Sequence, residues 1–183
     1  MNLTAIRDPE EIVTRHFGES LFAARHLFPD GAADANARIT VADLGSGAGF
    51  PGIPIKLWAP AISLTLIESN HKKSTFLREV ARTLTLTDID IQTTRAQDLL
   101  NPPASSPSKP NCFDVVTLRA VERFEEILPT AASLVAPNGR LALLISAHQL
   151  PTTKTAPTVM RWAQPIPIPL SNSRILVVGE NQN

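Results

Sequence analysis

Apolar residues at Ile12, Val13, Phe17, Leu21, Ala24 and Phe28 recur near helical spacing, which predicts a helix over 8–28. Asp8 fits its N-cap, Pro9 its first helical position, and Glu10 and Glu11 the positive end of its dipole. Gly18 weakens the middle of this helix by roughly 1 kcal/mol relative to alanine. A turn-rich stretch over 29–38 follows, and the pattern then changes. Short apolar runs at 39–44, 63–68, 89–93, 113–118 and 139–145 read as strands, separated by helical patterns at 52–59, 71–84 and 125–135. The 71–84 helix is amphipathic, with Phe76, Leu77, Val80, Ala81 and Leu84 on one face and Lys72, Lys73, Arg78 and Arg82 toward solvent. Pro129 must fall in the first turn of its helix or kink it.

This strand–helix alternation predicts an α/β fold with a parallel sheet covered on both faces. The tail differs. Strands at 158–164 and 174–178, separated by Pro165, Pro167, Pro169 and Ser171-Asn172, suggest an antiparallel hairpin at a sheet edge. The proline-rich stretch 101–111 reads as a surface loop within one domain spanning 1–183, in which a helical segment (1–38) precedes the core (39–183). There is no internal repeat.

Composition narrows the chemistry. Lys plus Arg and Asp plus Glu both total 17, so the formal net charge is zero. That balance argues against nucleic-acid binding by bulk electrostatics, which needs many phosphate contacts, and leaves room only for a local basic patch. Taken alone, it favours a small-molecule enzyme. A single cysteine, Cys112, excludes an internal disulfide and a cysteine metal cluster, and the 4 histidines show no ligand spacing, so no metal site is expected. The amino terminus does not resemble a signal peptide and no window reaches the roughly 18 apolar residues of a membrane span. A soluble, cytoplasmic, monomeric protein is expected.

The most informative stretch is Asp43-Leu44-Gly45-Ser46-Gly47-Ala48-Gly49-Phe50-Pro51-Gly52, between a strand and a helix. Glycines there let the backbone turn tightly and approach a ligand, and ligands of open α/β sheets bind at the carboxyl ends of strands. Gly47, Gly49 and Gly52 also match a dinucleotide pattern, a weak signal by itself. Asp43 points away from that reading: at the end of the first strand its charge would repel a pyrophosphate, and it suits a sulfonium or amino group. The Asp-x-Gly-x-Gly-x-Gly order is similar to the first motif of Rossmann-like methyltransferases. Glu68, ending the second strand, can accept from both hydroxyls of a ribose, a feature that NAD enzymes share.

Arg119 falls at the carboxyl end of the fourth strand, where a cation can contact a phosphate, a carboxylate or guanine O6. Arg95-Ala96-Gln97-Asp98 follows the third strand, where such folds bind adenine. Lys72, Lys73, Arg78 and Arg82 form a candidate RNA-facing stripe, although a charged helix face is usually only solvated. His16 carries no assigned chemistry.

These runs resemble the RsmG (GidB) family of methyltransferases, which modify guanine N7 in 16S ribosomal RNA. The matching residues are the run from Asn2 through Ile12, Arg15-His16-Phe17, the run from Asp43 through Pro54, Lys72-Lys73, Arg95-Ala96 and Arg119-Ala120-Val121. Gly49-Phe50-Pro51-Gly52-Ile53-Pro54 is the specific part. The resemblance implies a Rossmann-like class I methyltransferase with a seven-stranded, mostly parallel sheet. It implies S-adenosylmethionine held by Asp43, Gly45, Gly47, Gly49, Phe50, Glu68, Ala96 and Gln97, with Arg119 at the junction with substrate. Small-subunit ribosomal RNA or a pre-ribosomal particle would be the partner, contacted by Lys72, Lys73 and Arg123. The chain departs from the family's pattern in four places: Gln97 replaces an acidic residue, Ser146-Ala147 replaces Lys-Gly, Glu122-Arg123 stands where Ala-Pro or similar is usual, and the sequence starts at the Asn2 run, before which the family usually has an extra helical segment.

Guanine N7 carries an in-plane lone pair and needs no general base, so positioning would supply the catalysis, up to roughly 7–11 kcal/mol in favourable cases. Arg119 would hold O6 and leave N7 free. The rival expectations are methylation of another RNA or a small molecule, an NAD-dependent oxidoreductase, and a relic that binds the donor without chemistry.

Overall fold

β1 (Thr40–Leu44), β2 (Ser63–Ile67), β3 (Ile89–Gln92), β4 (Phe113–Arg119) and β5 (Val135–Ser146) run parallel in the order β3-β2-β1-β4-β5. The computed structural model describes residues 6–31, 38–100, 112–120, 123–156 and 160–183. The expected 101–111 loop, Asn2 to Ala5, Val121 and the start of the 158–164 strand lie outside the described residues. The tail closes the sheet antiparallel: β8 (Arg174–Asn181) pairs with β5, β6 (Met160–Trp162) and β7 (Ile166–Pro167). The two-residue β7 makes eight strands among the described residues rather than seven. It forms because Pro165, Pro167 and Pro169 keep the connection extended, a conformation in which Ile166 can still pair.

The continuous apolar runs follow from burial on both sheet faces. Alternate residues of each strand enter opposite cores. Ala42, Leu44, Val116, Leu118, Leu141 and Leu143 pack with α5 (Phe124–Ser133). Val41, Leu64, Leu66, Val115, Ala142 and Leu144 pack with the helices of the other face. Those are α2 (Glu19–Leu27), α3 (Gly52–Trp58) and α4 (His71–Thr83). Lys56 of α3 is buried, and its ammonium donates to Pro60 O at 2.8 Å and to Ile62 O, tying α3 to β2.

The amino-terminal helix is not uniform. Asp8 caps it as expected, accepting from Glu11 N at 2.8 Å, with Pro9 at its first position. Yet α1 (Pro9–Ile12) runs into a π-helical stretch, Val13–Gly18, before α2. Gly18, which propensity marks as the weak point, closes that stretch. The run is tied down at its far end, where Trp58 Nε1 donates to Phe28 O at 2.8 Å and Arg140 donates to Leu27 O at 3.0 Å.

Two other boundaries differ from the sequence expectation. α5 begins at Phe124, so Pro129 sits beyond its first turn, inside the helix. A 3₁₀ segment, Ala147–Thr155, follows β5 where no element is expected; Ser146 and Gln149 cap it reciprocally, a local pattern that period counting ignores.

Candidate functional site

The glycine turn folds back on β2. Gly45, Gly47 and Gly49 have φ of +67°, +57° and +95°, a region that residues with a Cβ rarely adopt. Gly45 N and Ser46 N donate to Ile67 O, and Gly49 N donates to Ser46 O. A Cβ added at Gly47 would meet only Gly45 O, at 3.8 Å, so the space above the turn is open. At Gly49 the reverse holds: a Cβ would lie 2.4 Å from Ile53 Cδ1, so that glycine serves packing beneath the turn.

Glu68 completes the loop. Its Oε2 accepts from Gly47 N at 3.0 Å and its Oε1 from Asn70 N at 2.8 Å. A carboxylate offers about four lone-pair sites, so each oxygen keeps one for a ligand. Gly45, Ile67, Glu68, Thr94, Ala96, Gln97 and Ile127 line a cleft of about 150 Å³ at the carboxyl ends of β1 and β2, beside the point where strand order reverses. Ligands of open α/β sheets bind at that switch point. Ile67, Ala96 and Ile127 supply apolar walls suited to a flat base, and the Glu68 carboxylate lines the same cleft. Of the sequence-selected residues, the structure brings Gly45, Glu68, Ala96 and Gln97 together here. Ile127, from α5, carries no sequence signal because it reaches the cleft only through the fold.

Asp43 lies beneath the turn rather than on the cleft lining, with no solvent exposure. It is in register with Thr117, whose hydroxyl donates to Oδ1 at 2.8 Å; Gly52 N donates to Oδ2 at 3.2 Å. Burial pushes its pKa up from 3.8 to about 6, against the hydrogen bonds from Thr117 and Gly52. Between those two values the folded protein holds the proton more tightly than the unfolded chain. Stability from this group therefore falls as pH rises through the window, by about 3 kcal/mol in all. Asp43→Asn should flatten that part of the stability curve. Chemical denaturation at pH 4 to 7 measures it: a wild-type-minus-variant difference that does not change with pH would refute the buried ionisation.

Arg119 extends the Asp43–Thr117 face of the sheet to the amino-terminal helix. Its Nε and Nη2 donate to Glu19 Oε2, both at 3.2 Å, and Nη2 also reaches Arg15 O at 2.5 Å and His16 Nδ1 at 3.2 Å. Glu19 is buried and also pairs with Arg174 at 3.2 Å. Burial lowers the Arg119 pKa, opposed mainly by Glu19. Among the described residues, Nη1 of Arg119 has no hydrogen bond. Glu19 and Arg174 were not selected from sequence. The available signal was the Glu19, Ala23, Leu27 spacing, which puts a carboxylate on the buried stripe of α2.

The remaining candidates scatter. Phe50 leaves the cleft and stacks on His16 at 5.1 Å, with Phe17 edge-on at 4.9 Å. Lys72 and Lys73 form the first turn of α4, where their backbone N–H groups donate to the Asn70 cap. The expected stripe contracts to those two lysines, because Arg78 bonds Ile91 O and Thr93 and Arg82 pairs with Glu79 at 2.6 Å. Arg123 is exposed in a left-handed conformation before α5, 3.5 Å from Glu126. No group of three or more potential metal-ligating side chains occurs among the described residues. No described helix is long and apolar enough to cross a membrane.

This fold is shared with solved methyltransferases. A ribosomal protein L11 methylase from Lactobacillus delbrueckii subsp. bulgaricus superposes with a TM-score of 0.66 at 18% identity, covering 90% of this chain and 77% of that one. TYW2 of P. horikoshii, solved in complex with MeSAdo, gives 0.66 at 16% identity, covering 97% and 65%. The architecture and the glycine-turn cleft thus define a Rossmann-like methyltransferase fold. The family model described as rRNA small subunit methyltransferase G matches residues 1–170. Relatives named ribosomal RNA small subunit methyltransferase G, from Xanthomonas euvesicatoria pv. vesicatoria and Xylella fastidiosa, are 35% and 34% identical over 180 residues, which is 97% of this chain and 77% of theirs. The chain belongs to the rRNA small subunit methyltransferase G family.

Proposed function

We propose that this protein methylates guanine N7 in small-subunit ribosomal RNA, with S-adenosylmethionine as donor. The observation that carries the donor assignment is the Glu68 carboxylate, fixed by Gly47 N and Asn70 N with lone pairs left toward the cleft. The substrate follows from the family. When bound, the donor supplies an electrophilic methyl on a sulfonium. Gly45 and Gly47 would give it a close backbone approach, Glu68 would accept its ribose hydroxyls, and Ala96 and Ile127 would flank its adenine. Asp43 has no exposed surface, so it acts through Gly52 N and its field, lowering the potential where a cationic donor would rest.

The nucleophile is the in-plane lone pair of N7, so no proton has to be removed. That agrees with a cleft whose lining carboxylate among the described residues, Glu68, already accepts from Gly47 N and Asn70 N and is left to meet hydroxyls rather than to remove a proton. Arg119, through its Nη1, donates to guanine O6 and leaves N7 free. Arg119→Ala should cut the methylation rate about 10²-fold, as loss of one positioned donor does elsewhere. Affinity for S-adenosylhomocysteine should change less than about threefold, below the roughly 1.4 kcal/mol of a tenfold effect. Equal losses in both would make Arg119 a donor-binding residue.

Two measurements test the function itself. Calorimetry should show binding of S-adenosylmethionine and S-adenosylhomocysteine and none of NADH. Methyl transfer from labelled donor to small-subunit RNA, followed by nucleoside analysis, should yield 7-methylguanosine; methyl on another atom overturns the N7 assignment. Donor binding without transfer to RNA or its particle would establish the relic.

A further inference from the structure

Beside Arg119, the amino-terminal helical run and the segment leading into β8 enclose a polar cleft of about 340 Å³, separate from the donor cleft. Thr14, Arg15, Ser146, Ser171, Ser173 and Arg174 line it, together with the Glu19 carboxylate that Arg119 and Arg174 hold. Ser146 ends β5 and faces Arg174 in register, while Arg119 ends β4 beside Leu144, so the cleft opens at the carboxyl edge of the sheet.

Its hydrogen-bonding capacity points one way. The Ser146 side chain accepts a backbone N–H from the following 3₁₀ segment, and Ser171 Oγ accepts from Arg174 N at 3.1 Å. A hydroxyl whose oxygen is so engaged still has its proton to donate. Ser173 is exposed and its hydroxyl has no hydrogen bond among the described residues. Arg15 pairs with Glu11 but remains about half exposed, at 47%. Arg174 donates to Leu144 O and Glu19 through Nη2, while its Nε is buried without a partner. The guanidinium groups of Arg15, Arg119 and Arg174 meet the carboxylates of Glu11 and Glu19, Asp43 acts on Arg119 through space, and the Glu19 carboxylate is already held by Arg119 and Arg174. The Arg174 Nε–H and the hydroxyls of Ser146, Ser171 and Ser173 are left as donors beside the half-exposed Arg15 guanidinium.

Hydroxyl donors beside a half-exposed guanidinium and an unpartnered guanidinium N–H suit a tetrahedral oxyanion, and such contacts position nucleic-acid backbones. We propose that this cleft holds a backbone phosphate of the substrate RNA next to the target nucleotide. The inference rests on the proposed RNA methylation. It accounts for RNA binding by a chain of zero net charge: local placement of a few donors substitutes for bulk charge.

Arg15→Gln and Ser173→Asp test it, because both side chains are exposed and neither variant touches the Glu19 pair. Methyl transfer to small-subunit RNA is followed against RNA and KCl concentration, with S-adenosylhomocysteine binding as control. Each variant should raise the KM for RNA roughly tenfold, with the effect falling on KM rather than kcat, while donor binding stays at the wild-type value. Arg15→Gln should also lower the log–log salt slope by about 0.7–0.9, one phosphate contact. Unchanged KM and slope in both variants, with an active wild type, overturn the phosphate site. Inorganic phosphate binding lost in Ser173→Asp with RNA KM untouched assigns the cleft to a free anion and also overturns it. A wild type that methylates no RNA sinks the function instead, and RNA-binding isotherms of the same variants then decide the cleft.

Discussion

Glu19→Ala should destabilise the protein by about 3–5 kcal/mol, the cost of stripping one partner from a buried ion pair. Glu19 sits on α2 with 3% exposure and receives Arg119 and Arg174 on one oxygen. Removing it leaves two guanidinium groups facing each other in a low dielectric, held only by the carbonyls of Arg15 and Leu144 and the His16 ring nitrogen. The amino-terminal helical run would loosen from the ends of β4 and β8, because this triad is its polar anchor there. A loss of that size lowers Tm by on the order of 10 °C in a chain of this length. Glu19→Gln retains one acceptor and should lose less. Guanidinium denaturation of both variants is the check; a loss below about 1 kcal/mol, typical of a surface pair, would show the triad to be solvated. Donor binding, built on the far side of β1, should survive wherever the variant is folded.

The second large effect falls on the donor. Glu68→Ala should weaken S-adenosylhomocysteine binding on the order of 10²-fold, because hydrogen bonds to a charged group contribute about 1.5–3 kcal/mol each. Two losses combine. The ribose hydroxyls lose their acceptor, and Gly47 N and Asn70 N lose the group that fixes the turn. Glu68→Gln keeps one oxygen and should lie in between. Calorimetry with unfolding measured in parallel separates binding from folding. Affinity within threefold of wild type in a folded Glu68→Ala would remove Glu68 from the ribose site.

Much of this was readable from local pattern. The runs at 39–44 and 113–118 are apolar without alternation because both sheet faces are covered, so they announced buried parallel strands. Asp8-Pro9 announced the first helix. Gly45, Gly47 and Glu68 announced a ligand turn, since their spacing relative to strand ends is fixed by chain connectivity. Residues that act by contact across long sequence separation were less legible. Arg119 was marked by position, but its engagement with Glu19, a hundred residues earlier, was not. The strand-end position of Asp43 suggests a charge facing a ligand, whereas register with Thr117 puts it under the turn. The resemblance puts Phe50 among the donor residues, and only the fold shows its ring stacked on His16 and edge-on to Phe17.

The sequence by itself determined the strand–helix alternation of the core, its parallel sheet, the glycine turn and the family, because each depends on residues close together along the chain. The tertiary structure decided the rest. It set which side chains are buried, and so raised the Asp43 pKa and turned Glu19 from a helix residue into the centre of an ion triad. It also joined Thr14 and Arg15 to Ser146 and Arg174 around one cleft. The reason is physical: periodicity fixes which face a residue occupies, but desolvation and pairing energies depend on what the opposite face brings, and only packing supplies that partner.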